Sequence, residues 1–213
     1  SAATIAVALK HRNAGQVCAA PSRFYLHESI HDEFVKAFVE KSRALKLGSG
    51  TQKATQMGPL TMFKRVEAMQ RLTEDACAHG AKVVTGGERL GDSGCFFQPT
   101  TLTDVSEKAL VSFEEPFGPI APMYRFRGFD EVVARANALP FGLSAFVFTK
   151  SLKTSIDVSN ELESGMISIN HYGLALPETP FGGIKDSGLG YKEGVQEAIK
   201  SFTNLKTYSI PWI

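Results

Sequence analysis

Residues 129–169 read FDEVVARANALPFGLSAFVFTKSLKTSIDVSNELESGMISI, and this stretch decides the fold. Phe129, Val132, Val133, Ala136 and Leu139 recur at helical spacing. Leu143 to Phe148 then predicts a short buried strand, Leu152, Ile156, Ser159 and Leu162 a second helix face, and Met166 to Ile169 a second strand. Parallel strands need long crossover connections, and helices are the usual ones. The alternation therefore predicts an α/β fold, a mixed or mostly parallel sheet flanked by helices.

The same rhythm extends toward the N-terminus. Ala2 to Lys10 is rich in helix formers and reads as an uncapped helix, the tail of a longer one. Phe24, Tyr25 and Leu26 predict a strand, and Ile30, Phe34, Phe38 and Leu45 an amphipathic helix. Met62, Val66, Met69, Thr73 and Cys77 predict a helix face, which makes Cys77 a core residue, with Gly80 as a left-handed cap before Val83-Val84. Gly86, Gly87, Gly91 and Gly94 mark turns, and strands are expected over Phe96 to Val105 and Ile120 to Phe126. Beyond Gly188, Gly190 and Gly194 a short helix is expected near Glu193 to Lys200, followed by a terminal strand over Ser201 to Ile210 that needs a partner edge. No internal repeat is visible.

Composition excludes several classes. With 23 Lys and Arg against 22 Asp and Glu, the 213-residue chain has a net charge of +1, no field to draw nucleic acid or an anionic membrane. No apolar run nears the roughly 18 residues of a membrane span, so a soluble, cytoplasmic protein is expected. Cys18, Cys77 and Cys95 are an odd count without C-x-x-C spacing, and neither a disulfide framework nor a metal site is expected.

Chemistry concentrates at Asn13-Ala14-Gly15-Gln16-Val17-Cys18, a polar, glycine-containing turn that could expose a thiol before a strand. A thiol attacks as thiolate and wants an accessible, electropositive setting, to which Arg12 would contribute. On pattern alone, Cys18 is equally a small buried hydrophobe.

Two further strings stand downstream: Glu114-Glu115-Pro116-Phe117-Gly118-Pro119 and Pro180-Phe181-Gly182-Gly183-Ile184-Lys185-Asp186-Ser187-Gly188. Together with the cysteine segment, and in this order along essentially the whole chain, they resemble the aldehyde dehydrogenase superfamily. The resemblance implies that Cys18 is the nucleophile and its backbone N–H an oxyanion donor. It implies that Glu115 and Phe117 contact the nicotinamide half of NAD or NADP, and that Phe181 lines the substrate path. Without the resemblance, Glu115 reads as a solvated turn residue, Phe117 and Phe181 as packing, and the glycines as structural.

Within that superfamily Arg12 resembles the residue that grips the distal carboxylate in succinate-semialdehyde dehydrogenases, a role a guanidinium fork suits. The partner serine of that branch falls at Leu176, which brings in 2-oxoglutarate semialdehyde as a competing substrate. As a plain residue, Arg12 would make a surface ion pair. The resemblance also implies a general-base glutamate upstream of the cysteine and a dinucleotide-binding domain, and only 17 residues precede Cys18. The expectation is a catalytic-domain fragment, inactive alone, spanning 1–190, with 191–213 serving oligomerisation of the parent enzyme. Two rivals are a thioester-forming acyl transferase without redox chemistry, and a structural or interaction module that has lost its chemistry.

Overall fold

The computed structural model describes residues 1–211, apart from the side chains of 191–193, 195 and 197. The chain divides into two compact units, Ser1–Ala138 and Leu139–Ile213. This is a division by packing; the boundary at residue 190 was drawn by role.

In the first unit, α1 (Ala2–His11) begins at Ser1, whose Oγ accepts from the Thr4 N–H at 3.4 Å. The Ser1 side chain thus serves the first turn as an N-cap, where no capping residue was expected. There follow β1 (Phe24–His27), α2 (His31–Arg43), α3 (Phe63–Ala78), β2 (Lys82–Thr85), β3 (Thr100–Thr103), β4 (Ile120–Phe126) and α4 (Phe129–Asn137). α2 carries Asp32 and Glu33 in its first turn and Lys41 and Arg43 in its last, each sign matching the helix dipole. α3 ends as predicted, with Gly80 at φ +94 and the Ala81 N–H closing on the Ala76 carbonyl at 2.9 Å.

The sheet order is β1-β4-β3-β2, with β4 parallel to both neighbours and β2 antiparallel at the edge. Alternation along β4 sends Ile120 to one face and Ala121 and Met123 to opposite company. Ile120 and Leu102 pack with Val66, Met69, Leu72 and Ala76 of α3 and with Phe97. Ala121 and Met123 pack with Phe24 and Leu26, with Ala6 and Val7 of α1, and with Val35, Phe38 and Val39 of α2. Helices cover both faces, which is why β4 is apolar without interruption over its first half.

Two readings in this unit are corrected. Cys77 is exposed, and the buried face of α3 is Val66, Met69, Leu72, Thr73 and Ala76. At about 100° per residue, Cys77 stands about 80° from Met69, the centre of that face, so the stripe drawn through it runs along the margin. Met62, drawn on the same stripe, precedes the helix and is exposed. The strand expected over Phe96 to Val105 is only Thr100–Thr103. Phe97 is buried in a loop, meeting Arg89 in one isolated bridge.

The second unit holds β5 (Phe141–Gly142), β6 (Ser144–Val147), α5 (Leu152–Glu161), β7 (Met166–Ile169), β8 (Phe181–Lys185), β9 (Gly190–Glu193) and α6 (Val195–Ser201). β6 and β7 pair in parallel, and β8 lies antiparallel between β5 and β9. The α/β class is as expected; half of the strand pairings are parallel. Ser144–Val147 is only half-buried, Leu152 and Ile156 are exposed, and Val158 is the buried residue of α5. The terminal strand is not formed: Ser201 ends α6, and residues 203–211 are exposed and outside any ladder. A strand exists only where a neighbouring edge takes its hydrogen bonds. Among the described residues no helix is long and apolar enough to cross a membrane, and no group of three His, Cys, Asp or Glu could hold a metal ion.

Candidate active site

The end of α1 starts the site. Arg12 caps the helix with its N–H on the Ala8 carbonyl, and the chain then turns through three consecutive left-handed residues, Asn13 (φ 50), Ala14 (φ 53) and Gly15 (φ 74). Glycine takes this conformation freely, asparagine tolerates it, and alanine pays about 1–2 kcal/mol. Burial holds Ala14 there, at 1% exposure within the core against α3. The Asn13 Nδ2 donates to the Gln16 carbonyl at 3.0 Å, closing the turn.

Cys18 follows on a second turn, closed by the Ala20 N–H on the Val17 carbonyl at 2.8 Å, and it is exposed. The structure thereby removes the buried-hydrophobe reading of Cys18. Arg12, six residues earlier, is exposed as well.

The second string lies against this loop. A Cβ built on Gly15 would fall on the carbonyl oxygen of Gly118, far inside van der Waals contact, and one on Gly118 would fall on the Met69 sulfur. Only two glycines allow the cysteine loop, the Glu114–Pro119 segment and α3 to stack so closely. Glu114 pairs with Arg71 at 2.5 Å, and Arg65 donates to the Pro116 carbonyl. Between these ties Phe117 is left-handed (φ 44) and exposed, and Glu115 is exposed beside it. The surrounding protein still desolvates the Glu115 carboxyl enough to raise its pKa, against the charges of Lys10 and Arg65.

Two residues that the sequence reading assigned to nothing complete the setting. Lys10 is 1% exposed; its Nζ donates to the Pro21 carbonyl at 3.0 Å. Burial lowers its pKa to about 7, with the Glu115 charge resisting. Its neighbour His11 is buried too, with Nε2 3.2 Å from the Ser42 hydroxyl, and burial, helped by Lys10, lowers its pKa to about 3, so it is neutral near pH 7. Gln16 is the second residue, buried and bonded at both ends of its amide. A signal for Lys10 was available: Ala3, Ala6, Val7 and Lys10 share one helical face, and the first three are buried. For Gln16 there was none beyond its place in the string.

Arg12, Cys18, Glu115 and Phe117 thus all belong to the first unit, joined by the Gly15–Gly118 contact. Phe181 lies in the second unit, half-buried at the start of β8. There Gly183 admits no Cβ against Ser187, and the Ser187 Oγ accepts from the Gly142 N–H at 3.0 Å, so the third string works locally as a tight turn. Leu176 is exposed on the preceding loop.

Comparison with known proteins identifies the family. The sequence model of the aldehyde dehydrogenase family matches residues 1–208. The mitochondrial succinate-semialdehyde dehydrogenase of Rattus norvegicus is 41% identical over 202 residues, covering 94% of this chain and 38% of the relative. The 4-(hydroxymethyl)benzenesulfonate dehydrogenase of Comamonas testosteroni is 42% identical over 197 residues, 92% of this chain and 40% of the relative. An NAD+ complex of the aldehyde dehydrogenase from Bacillus cereus superposes with a TM-score of 0.90 at 38% identity, covering 96% of this chain and 42% of that one. The chain spans about two fifths of the length of the relatives it matches. With the family model spanning all three strings and relatives well above 30% identity, the chain belongs to the aldehyde dehydrogenase family.

Proposed function

We propose that this chain carries the nucleophile half of an NAD(P)-dependent oxidation of an aldehyde to its acid, with Cys18 as the attacking residue. One observation carries the reading: an exposed cysteine on a loop braced directly against the Glu115–Phe117 segment by the Gly15–Gly118 contact. The Cys18 thiolate adds to the aldehyde carbon, giving a thiohemiacetal whose oxygen takes a hydrogen bond from the Cys18 backbone N–H. Bound NAD or NADP supplies a two-electron acceptor for the hydride leaving that carbon. The thioester left on the Cys18 sulfur is cleaved by water, which releases the acid and returns the thiol.

The residues present fit a nicotinamide ribose. Glu115 accepts no hydrogen bond from the described protein, leaving both oxygens for hydroxyl donors, and the exposed Phe117 offers a ring edge beside it. Phe181 is assigned to the wall of the substrate path. We assign Arg12 to a distal anionic group on the aldehyde: it is exposed, six residues before the nucleophile, and a guanidinium fork matches a carboxylate. Substrates of this class are succinate semialdehyde, 2-oxoglutarate semialdehyde and their relatives. In the longer protein we further propose a cytoplasmic homo-oligomer, with the exposed Leu205, Tyr208 and Ile210 covered by a neighbouring copy.

The test uses the full-length protein. Cys18→Ala abolishes aldehyde-dependent appearance of reduced nicotinamide, and Arg12→Ala raises KM for an acid semialdehyde by about tenfold or more while sparing a neutral aldehyde of equal length. Equal effects on both aldehydes overturn the Arg12 assignment; turnover retained in Cys18→Ala overturns the whole reading.

A further inference from the structure

The turn that bears Cys18 exposes that residue at its tip and is short, closed by a single backbone bond, Ala20 N–H to Val17 O. Such a turn left to itself would sample many orientations. Two buried side chains tie it down from opposite ends. Upstream, the Gln16 amide donates through Nε2 to the Asn13 carbonyl at 2.9 Å and the Pro59 carbonyl at 3.5 Å, and its Oε1 accepts from the Thr61 N–H at 2.9 Å. It therefore joins the left-handed loop to the segment ahead of α3. Downstream, the Lys10 Nζ reaches from the last turn of α1 to the Pro21 carbonyl at 3.0 Å.

Neither residue is a natural choice for packing alone. Lys10 is 1% exposed, and a buried ammonium with one carbonyl partner loses more hydration than that bond returns. A methionine of similar volume would fill the same space without a charge to desolvate. What the lysine provides, and methionine could not, is a donor at the far end of the nucleophile's turn.

We propose that Gln16 and Lys10 are positioning residues that clamp the Cys18 turn at both ends and so set the direction of its sulfur. For catalysis the clamp rests on the reading of Cys18 as nucleophile; as a mechanical statement it stands without it. A clamped turn presents the thiol at one angle to an incoming carbonyl, and small misplacements of a reacting atom are costly.

The clamp is tested on this chain in a Cys77→Ser, Cys95→Ala background, with a nitroxide attached to Cys18. Gln16→Met and Lys10→Met each shorten the rotational correlation time of the label about threefold, into the range of an unrestrained loop. Val39→Ala, a buried change on α2 that touches neither clamp hydrogen bond, destabilises the chain and leaves the label's spectrum unaltered. Line shapes that stay with the parent's in both clamp variants overturn the proposal, and so does equal narrowing in Val39→Ala. If Gln16→Met does not fold, Lys10→Met still decides, because it removes a buried charge without removing volume. Failure of the function shows elsewhere: an active Cys18→Ala full-length enzyme sinks the nucleophile and leaves the mobility result intact.

Discussion

The two units are written in the same alternation of strand and helix, and they bury it differently. In Ser1–Ala138, α3 lies on one face of a four-stranded sheet and α1 with α2 on the other, and Phe38, Val66, Met69, Leu102, Ile120 and Met123 are sealed completely. In Leu139–Ile213, Val158 and Met166 are the large apolar side chains that are buried among the described residues. Phe141, Phe148, Leu152, Ile156 and Ile184 of that unit stand exposed. A periodic apolar stripe tells which face seeks cover; whether cover exists depends on a second layer. The first unit contains its layers, and the Cys18 loop is built on them.

The largest expected effect sharpens this contrast directly. Leu72→Ala should cost about 2–5 kcal/mol in urea unfolding, the usual loss for a sealed leucine, whereas Ile156→Ala on α5 should stay within about 0.5 kcal/mol. A cost above about 1.5 kcal/mol for Ile156→Ala would show that the second unit has a covered face in solution and would erase the difference.

Next comes the buried lysine. Its folded pKa, about 7, lies below its ordinary value of 10.5. Between those values the unfolded chain holds the proton more often than the folded one, so stability rises with pH across that window and the penalty is complete below it. We expect a gain of up to a few kcal/mol from pH 7 to pH 10, seen as a rising urea midpoint, and a flatter curve in Lys10→Met. Identical slopes in the two proteins would show that Lys10 is hydrated in solution.

The smallest effect belongs to the second unit. Ser151 caps α5, its Oγ accepting from the Thr154 N–H at 3.1 Å, and Ser151→Ala should lower stability by about 1 kcal/mol. If the transition of the first unit moves by the same amount, the two units unfold together, and the contrast drawn here is one of packing and not of cooperativity.

Legibility did not follow that divide. Ile120–Phe126 and Met166–Ile169 were read to the residue, because short apolar runs bounded by turns leave little room for another register. Cys77 was misplaced by a stripe drawn along the edge of the true face, and Phe97 was read as strand because core burial and ladder pairing look alike in sequence. The terminal strand finds no edge within this chain, and where such an edge lies is something no local pattern encodes. At the candidate site, the first two strings contain Cys18, Glu115 and Phe117, and helical spacing alone points Lys10 to the buried face of α1, but the left-handed Ala14 has no signature that propensity can register. That conformation is imposed from outside the segment that adopts it.

The contact between Gly15 and Gly118 has a consequence for how this loop can change over generations. The obstacle that a side chain at position 15 would meet is a backbone carbonyl, which every residue at position 118 would present. No second substitution at that site can therefore make room, and a library that randomises both positions should recover glycine at 15 whatever stands at 118. Substitutions elsewhere in the loop can be compensated by their neighbours. This one has no suppressor within its own contact, so the Cys18 segment and the Glu114–Pro119 segment are inherited as one locus, though about a hundred residues separate them.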